Sequence, residues 1–391
     1  MSFIRRLQQD FNFSSLVAGF IAVLTGYSSA AVIVFQAAEA AGASNSQISS
    51  WMWALGISMG LTTLGLSLRY KMPIITAWST PGAALLVTSL PGLSMSQAIG
   101  AFLFSALLIT LCGVTGLFAR LMHKIPASLA AAMLAGILLQ FGLNLFISLE
   151  QQLLLPLAMM ATYLISKRYL PRYAIALSLV LGIVLAAAQQ QVQLAQLTLT
   201  WGKPEWITPE LHWASLLSVG LPLFIVTMAS QNLPGVAVLQ SAGYRPPVSA
   251  IVSWTGLSNL LLAPFGAYAL NLAAISAAVC TSQEAHDDPS KRYMAGVFAG
   301  LFYLTLGILG GTVAGLFTAL PKVLVMVIAG LALLNTIANG LVAALQQTSE
   351  REAAAVTFLL TASGITLFGI GAAFWGLIAG VITLICLKAK D

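Results

Sequence analysis

Apolar runs of about twenty residues recur from one end of this chain to the other, and nearly all of its charge lies in the short stretches between them. A helical run of that length crosses the ~30 Å hydrocarbon core of a bilayer. Only 7% of the 391 residues are charged and 59% are hydrophobic. Soluble domains carry about 25% charged residues, so this supply could not cover a water-facing surface. Lipid must serve as part of the solvent. The first run, Ser15 to Ala38, is too long for a signal-peptide core and no cleavage site follows it, which reads as a retained span.

Breaking the chain at charges, prolines and glycines gives an all-α polytopic membrane protein of fourteen segments: 14–38, 47–68, 75–89, 97–121, 127–149, 151–167, 172–189, 213–241, 248–264, 267–282, 292–319, 321–346, 353–369 and 372–388. With the N-terminus inside, 15 of the 17 Lys and Arg fall on the cytoplasmic side, and only Lys203 and Lys322 fall outside. A miscounted span would scramble every later loop, so this split favours fourteen crossings with both termini cytoplasmic. The net charge of +6 follows from these scattered loop residues. No basic stripe suggests nucleic acid. Cys112, Cys280 and Cys386 are far apart, as are His123, His212 and His286, so no metal or cofactor site is indicated.

The longest outer loop, about 190–211, separates two sets of seven segments, 1–200 and 201–391, and an odd number per half inverts the second. Echoes support an inverted repeat. Ala77-Trp78 and Ala83-Ala84 match Ala267-Tyr268 and Ala273-Ala274 at an offset of 190, and Ile125-Pro126 resembles Leu320-Pro321.

Segments three and ten are short. In the third, a β-branched and aromatic stretch, Pro73 to Trp78, precedes Ser79-Thr80-Pro81-Gly82. Ser79 or Thr80 can cap a helix and Pro81 suits its first turn. A half-helix is therefore expected to start near the bilayer midplane, its free N–H groups and partial positive charge suited to an anion. In the tenth, Pro264 to Leu270 precedes Asn271, read as the cap of a helix over 272–280. The plainer alternative is a Pro/Gly kink in each of two complete helices. Segment eight holds Ser230, Gln231 and Asn232, which need hydrogen-bond partners, either a ligand or a neighbouring helix. Segment one offers Tyr27 and Ser28 at the equivalent place. No carboxylate lies mid-span, which suits an anion or a neutral polar molecule, with Trp78 and Tyr268 as aromatic walls.

TAWSTPGAALL (76–86), MASQNLPG (228–235), SQEAH (282–286), TGLFARL (115–121) and FWGLIAG (374–380) closely resemble the benzoate:proton symporter (BenE) family of bacterial inner membranes. The likeness covers essentially the whole chain, and the family resembles the uracil-permease type of fold. It implies a core domain (14–121 and 213–319), a gate domain (127–189 and 321–388) and a substrate between them. Carried over, Ser79, Thr80, Pro81, Gly82 and Asn271 hold a carboxylate, Gln231 and Asn232 add hydrogen bonds, and Trp78 and Tyr268 flank the ring. Uracil-type relatives place a glutamate in segment eight, where this chain has Ser230-Gln231-Asn232. That departure fits a substrate bringing its own negative charge, and it leaves proton coupling to Glu39, to Glu284 and His286, or to the substrate carboxyl itself.

The expected function is proton-coupled uptake of benzoate or a similar aromatic carboxylate by alternating access. A homodimer would meet through the gate helices. The alternatives are a carrier of another anion or a nucleobase, and a passive anion channel. No HExxH, nucleophile elbow or paired membrane carboxylate points to an enzyme.

Overall fold

The computed structural model describes residues 10–117, 126–192 and 199–388. A helix or broken helix occupies each of the fourteen segments. In chain order these are α1 (Phe13–Ala40), α2 (Asn45–Tyr70), β1 (Thr76–Trp78), α3 (Thr80–Ser89), α4 (Met95–Val114), α5 (Ala127–Gln151), α6 (Leu154–Tyr169) and α7 (Ala174–Ala188). Then come α8 (Trp213–Ser241), α9 (Val248–Leu262), β2 (Leu270–Leu272), α10 (Ala274–Thr281), α11 (Tyr293–Ile308), α12 (Gly310–Ala319), α13 (Lys322–Leu345) and α14 (Arg351–Ala362). A two-residue hairpin, β3 (Thr366–Leu367) and β4 (Ile370–Gly371), leads into α15 (Ala372–Lys388). Six described helices are long and apolar enough to cross a membrane, or eight if each of two bent pairs is one span.

Local chemistry sets many of the boundaries. Ser44 and Ser94 open α2 and α4 with reciprocal capping boxes to Gln47 and Gln97. Lys71 closes α2 in the left-handed conformation. Two expectations need correction. The eleventh segment, read as continuous, bends by 69° between α11 and α12. The thirteenth, read as helical to 369, stops at Ala362. Gly364, Phe368 and Gly369 take positive φ there, and the Trp375 indole donates to the carbonyls of Leu367 and Ile370, tying the hairpin down. Arg120, His123 and Lys124 lie outside the described residues.

The helices pack in two groups. In one, α2 lies along α11, α4 along α9, and α1 contacts α3, α10 and α11. In the other, α5 packs on α13, α14 and α15, and α6 on α7. Contacts of α1 with α13 and of α3 with α5 join the groups. The α2–α11 seam is backbone against backbone. A Cβ added to Gly56 would lie 2.3 Å from the Gly307 Cα, and one added to Gly60 would lie 2.9 Å from the Gly300 carbonyl oxygen. Small residues permit this approach, which substitutes for the hydrophobic effect that lipid cannot supply between helices.

Overpacking such a seam costs about 1–3 kcal/mol. Gly56→Val is therefore expected to melt several degrees below the parent in detergent. Gly65→Ala, in the same helix with open space around it, should not. Equal melting temperatures for Gly56→Val and the parent would refute the seam.

Candidate substrate site at two interrupted segments

Strands β1 and β2 pair antiparallel at the centre of the fold, with Thr76 opposite Leu272, Ala77 opposite Asn271 and Trp78 opposite Leu270. Two further bonds extend the ladder, from the Ser79 amide to the Ala269 carbonyl (3.0 Å) and from the Ala273 amide to the Ile75 carbonyl (2.9 Å). Side chains satisfy the remaining strand amides. Thr63 accepts from the Thr76 amide (3.0 Å) and Asn232 Oδ1 from the Leu272 amide (3.0 Å). Asn259, with its amide oxygen turned to the strand, accepts from Ala269 (3.1 Å) and Leu270 (2.6 Å). Extended backbone at membrane depth requires this full satisfaction.

The half-helices that follow the strands differ at their starts. Ser79 caps α3, its hydroxyl accepting from the Gly82 amide at 3.0 Å. Pro81 has no N–H, and the Ala83 amide already bonds the Ser79 carbonyl. Only the Thr80 N–H of that first turn is without a protein acceptor among the described residues. The residue before α10 is Ala273, which has no capping side chain. The amides of Ala274, Ile275 and Ser276 therefore have no acceptor among the described residues, and all three residues line the central cavity. A helix start with free donors carries partial positive charge.

That cavity measures about 530 Å³. From one side it is lined by Thr25 and Gly26 of α1, by Trp78, Thr80 and Asn271, by the start of α10, and by Ser230 and Gln231 of α8. Those α8 residues sit in a π-helical turn, Met228–Asn232, a local widening that is frequent at functional sites. From the other side come Ala127, Ala130, Ala131 and Leu134 of α5, and Asn335, Thr336, Asn339, Gly340 and Ala343 of α13. No carboxylate is among the lining residues.

Of the residues read from sequence, Trp78, Thr80, Gln231 and Asn271 meet at this cavity. The others stand behind its wall. Asn271 is not the cap of α10. It is the middle residue of β2, because Asn232 and Ile75 hold the next two amides in the extended ladder. Its Nδ2 donates to the Ala269 carbonyl (3.3 Å), and its buried Oδ1 has no partner among the described residues. Tyr268 does not flank the cavity. It is fully buried against Trp51 and Phe102, with ring centroids 6.1 and 5.8 Å away. Ser79, Pro81 and Gly82 build the α3 start, and Asn232 clamps β2. Tyr27 packs edge-on against Trp78 at 4.7 Å, while Ser28 bonds the Thr25 carbonyl. The Tyr268 error has a different cause, the register of the repeat. The strands and half-helices are 194 residues apart, Thr76 to Leu270 and Thr80 to Ala274, so the echo at 190 is four residues out.

Glu39 faces a second, smaller cavity of about 230 Å³ with Gln36, Thr88, Gln140 and Asn144, and Lys322 is within electrostatic reach. Glu284 and His286 lie in the loop after α10, away from both cavities. There His286 Nδ1 accepts from the Asp288 amide (2.9 Å), and Arg292 donates to the carbonyls of Thr281 and His286. The amide and hydroxyl of Ser290 hold the Asp288 carboxyl below the usual carboxylate range. Sequence reading missed Asn335, Thr336 and Asn339. They are the only polar residues of α13 after Lys322, the same signal that drew attention to Gln231 and Asn232.

The fold is similar to that of the transmembrane domain of a cyanobacterium bicarbonate transporter, BicA, with a TM-score of 0.61 at 15% identity over 95% of this chain and 98% of that one. A helical membrane fold with a cavity at two interrupted segments, together with the family match that follows, makes this a membrane transport protein. Residues 9–386 match the family described as Benzoate membrane transport protein. The chain is 41% identical over 388 residues to the Benzoate membrane transport protein of Acinetobacter baylyi, covering 99% of this chain and 98% of that protein. It is 53% identical over 374 residues to the Inner membrane protein YdcO of Escherichia coli, covering 96% of each. The chain belongs to the benzoate membrane transport protein family.

Removing one partner of a buried hydrogen bond costs about 1–3 kcal/mol. Asn232→Leu leaves the Leu272 amide without its acceptor and is expected to lower the detergent melting temperature by several degrees. An unchanged melt would show that the clamp carries no stability.

Proposed function

We propose that this chain is a proton-coupled transporter of benzoate or a similar aromatic carboxylate, resident in a bacterial inner membrane. It works by alternating access between a core (14–121 and 213–319) and a gate (127–189 and 321–388). One observation carries the substrate class. The start of α10 directs three unclaimed amides at a cavity that no carboxylate lines. A carboxylate placed there gains charge-assisted hydrogen bonds without any basic side chain. The Thr80 amide and the Gln231 side chain add donors, and Trp78 offers an aromatic wall. The family and the substrate named for the Acinetobacter relative support the same reading.

Fourteen crossings with both termini cytoplasmic belong to this reading, with the Lys and Arg distribution in support. So do two inverted repeats, consistent with the 194-residue spacing of the paired elements. The central cavity runs to the first residue of α5 and the last turns of α13, the ends expected to face the cytoplasm, which fits an inward-facing state. The Glu39 cavity lies toward the opposite ends of α1 and α3. Glu39 is the one carboxylate lining either cavity, and we assign it the coupling proton.

Labelled benzoate is expected to accumulate in proteoliposomes when an inward proton gradient is imposed. Collapsing the gradient should abolish accumulation, and uptake that persists unchanged would end the coupling claim. Glu39→Gln should lose gradient-driven accumulation while retaining benzoate exchange across the membrane. Full accumulation in that variant would remove Glu39 from the coupling role. Ala273→Ser tests the carboxylate position. A serine cap takes the Ser276 amide for itself, so benzoate affinity should fall roughly tenfold, the value of one charge-assisted bond, while the melting temperature holds or rises. Parental affinity would place the carboxylate elsewhere.

A further inference from the structure

Helix α13 is apolar from Val323 to Leu345 except for Asn335, Thr336 and Asn339. These three share one face with Gly340 and Ala343, and that face lines the central cavity. Asn335 and Asn339 are exposed within the fold, and none of the three side chains bonds to another described residue. Polar groups in a membrane helix are costly without partners. Gln140 and Asn144 of α5 show the ordinary solution, bonding to each other at 3.0 Å. The α13 amides have no such arrangement, so their partners must come from the cavity contents.

On the cavity wall formed by α5 and α13, the α5 side is Ala127, Ala130, Ala131 and Leu134, which offers no hydrogen bond. All polar recognition on that wall therefore falls to α13. With the carboxylate at the start of α10, a position that rests on the function proposed above, an aromatic ring occupying the rest of the same cavity shares it with this wall. An unsubstituted ring offers these amides no hydrogen bond. A hydroxyl on the ring satisfies them, donating to an amide oxygen and accepting from an amide N–H. We propose that Asn335, Thr336 and Asn339 read a ring hydroxyl, so that the substrates of this transporter include meta- and para-hydroxylated benzoates.

The test compares displacement of labelled benzoate from purified full-length protein by benzoate, meta-hydroxybenzoate and para-hydroxybenzoate. The parent protein should bind at least one hydroxylated acid as tightly as benzoate or more tightly. In Asn335→Leu/Asn339→Leu, the affinity for that acid relative to benzoate should fall about tenfold, because the buried hydroxyl loses both of its amide partners while benzoate loses none. Asn335→Ala/Asn339→Ala should move the ratio the same way, and a parent-like melt in either variant shows that it is folded. If neither hydroxylated acid competes in the parent, the inference fails. It also fails if the variants weaken all three acids equally, since the stripe then only holds water. If benzoate itself does not bind the parent, the underlying functional reading fails instead.

Discussion

Five facing residue pairs between Ile75–Ser79 and Ala269–Ala273 organise the rest of this molecule. Two strands of three residues would not hold together alone in water. Here they are stable because every surrounding element has committed a side chain to them. Thr62 and Thr63 of α2 share the Thr76 hydroxyl, Asn232 of α8 takes one strand amide and Asn259 of α9 takes two. The ladder fixes the positions of the strand ends, and the strand ends fix where α3 and α10 begin. The central pair, Ala77 with Asn271, is also its own counterpart at the 194-residue spacing.

That near-symmetry makes the difference between the two half-helices informative. One start is closed by its own serine and proline. The other is left open at Ala273, giving up about 1 kcal/mol that a capping residue would supply. In the function proposed above, the donors left bare at this second start are the ones the substrate takes. The alanines of α5 opposite keep space for it.

Much of this was legible in the residues. The apolar runs located a helix or broken helix in each segment, and Ser79-Thr80-Pro81-Gly82 marked the start of α3 because capping is local chemistry. Segment ten resisted for a physical reason. Asn271 has good capping character, yet a ladder partner half a chain away and the Asn232 Oδ1 that accepts from the next amide keep it extended, and neither is visible locally. Tyr268 looked like the counterpart of Trp78 only at the wrong offset. The bend at Leu309 follows no proline and depends on packing around Gly310 against α2. Asn335 and Asn339 were readable by the rule applied to Gln231, but they lie inside a continuous helix rather than beside an interrupted segment.

The ladder also has a consequence for biosynthesis. β1 leaves the ribosome 194 residues before the strand that completes it, Thr76 against Leu270. At ordinary elongation rates this is a delay of roughly ten to forty seconds. Throughout it, the first half of the protein must sit in the bilayer with an extended segment whose amides are only partly answered by α2. The newborn chain is thus most exposed at the place that later becomes its centre, and a chaperone or the insertion machinery has a defined interval in which to shield it.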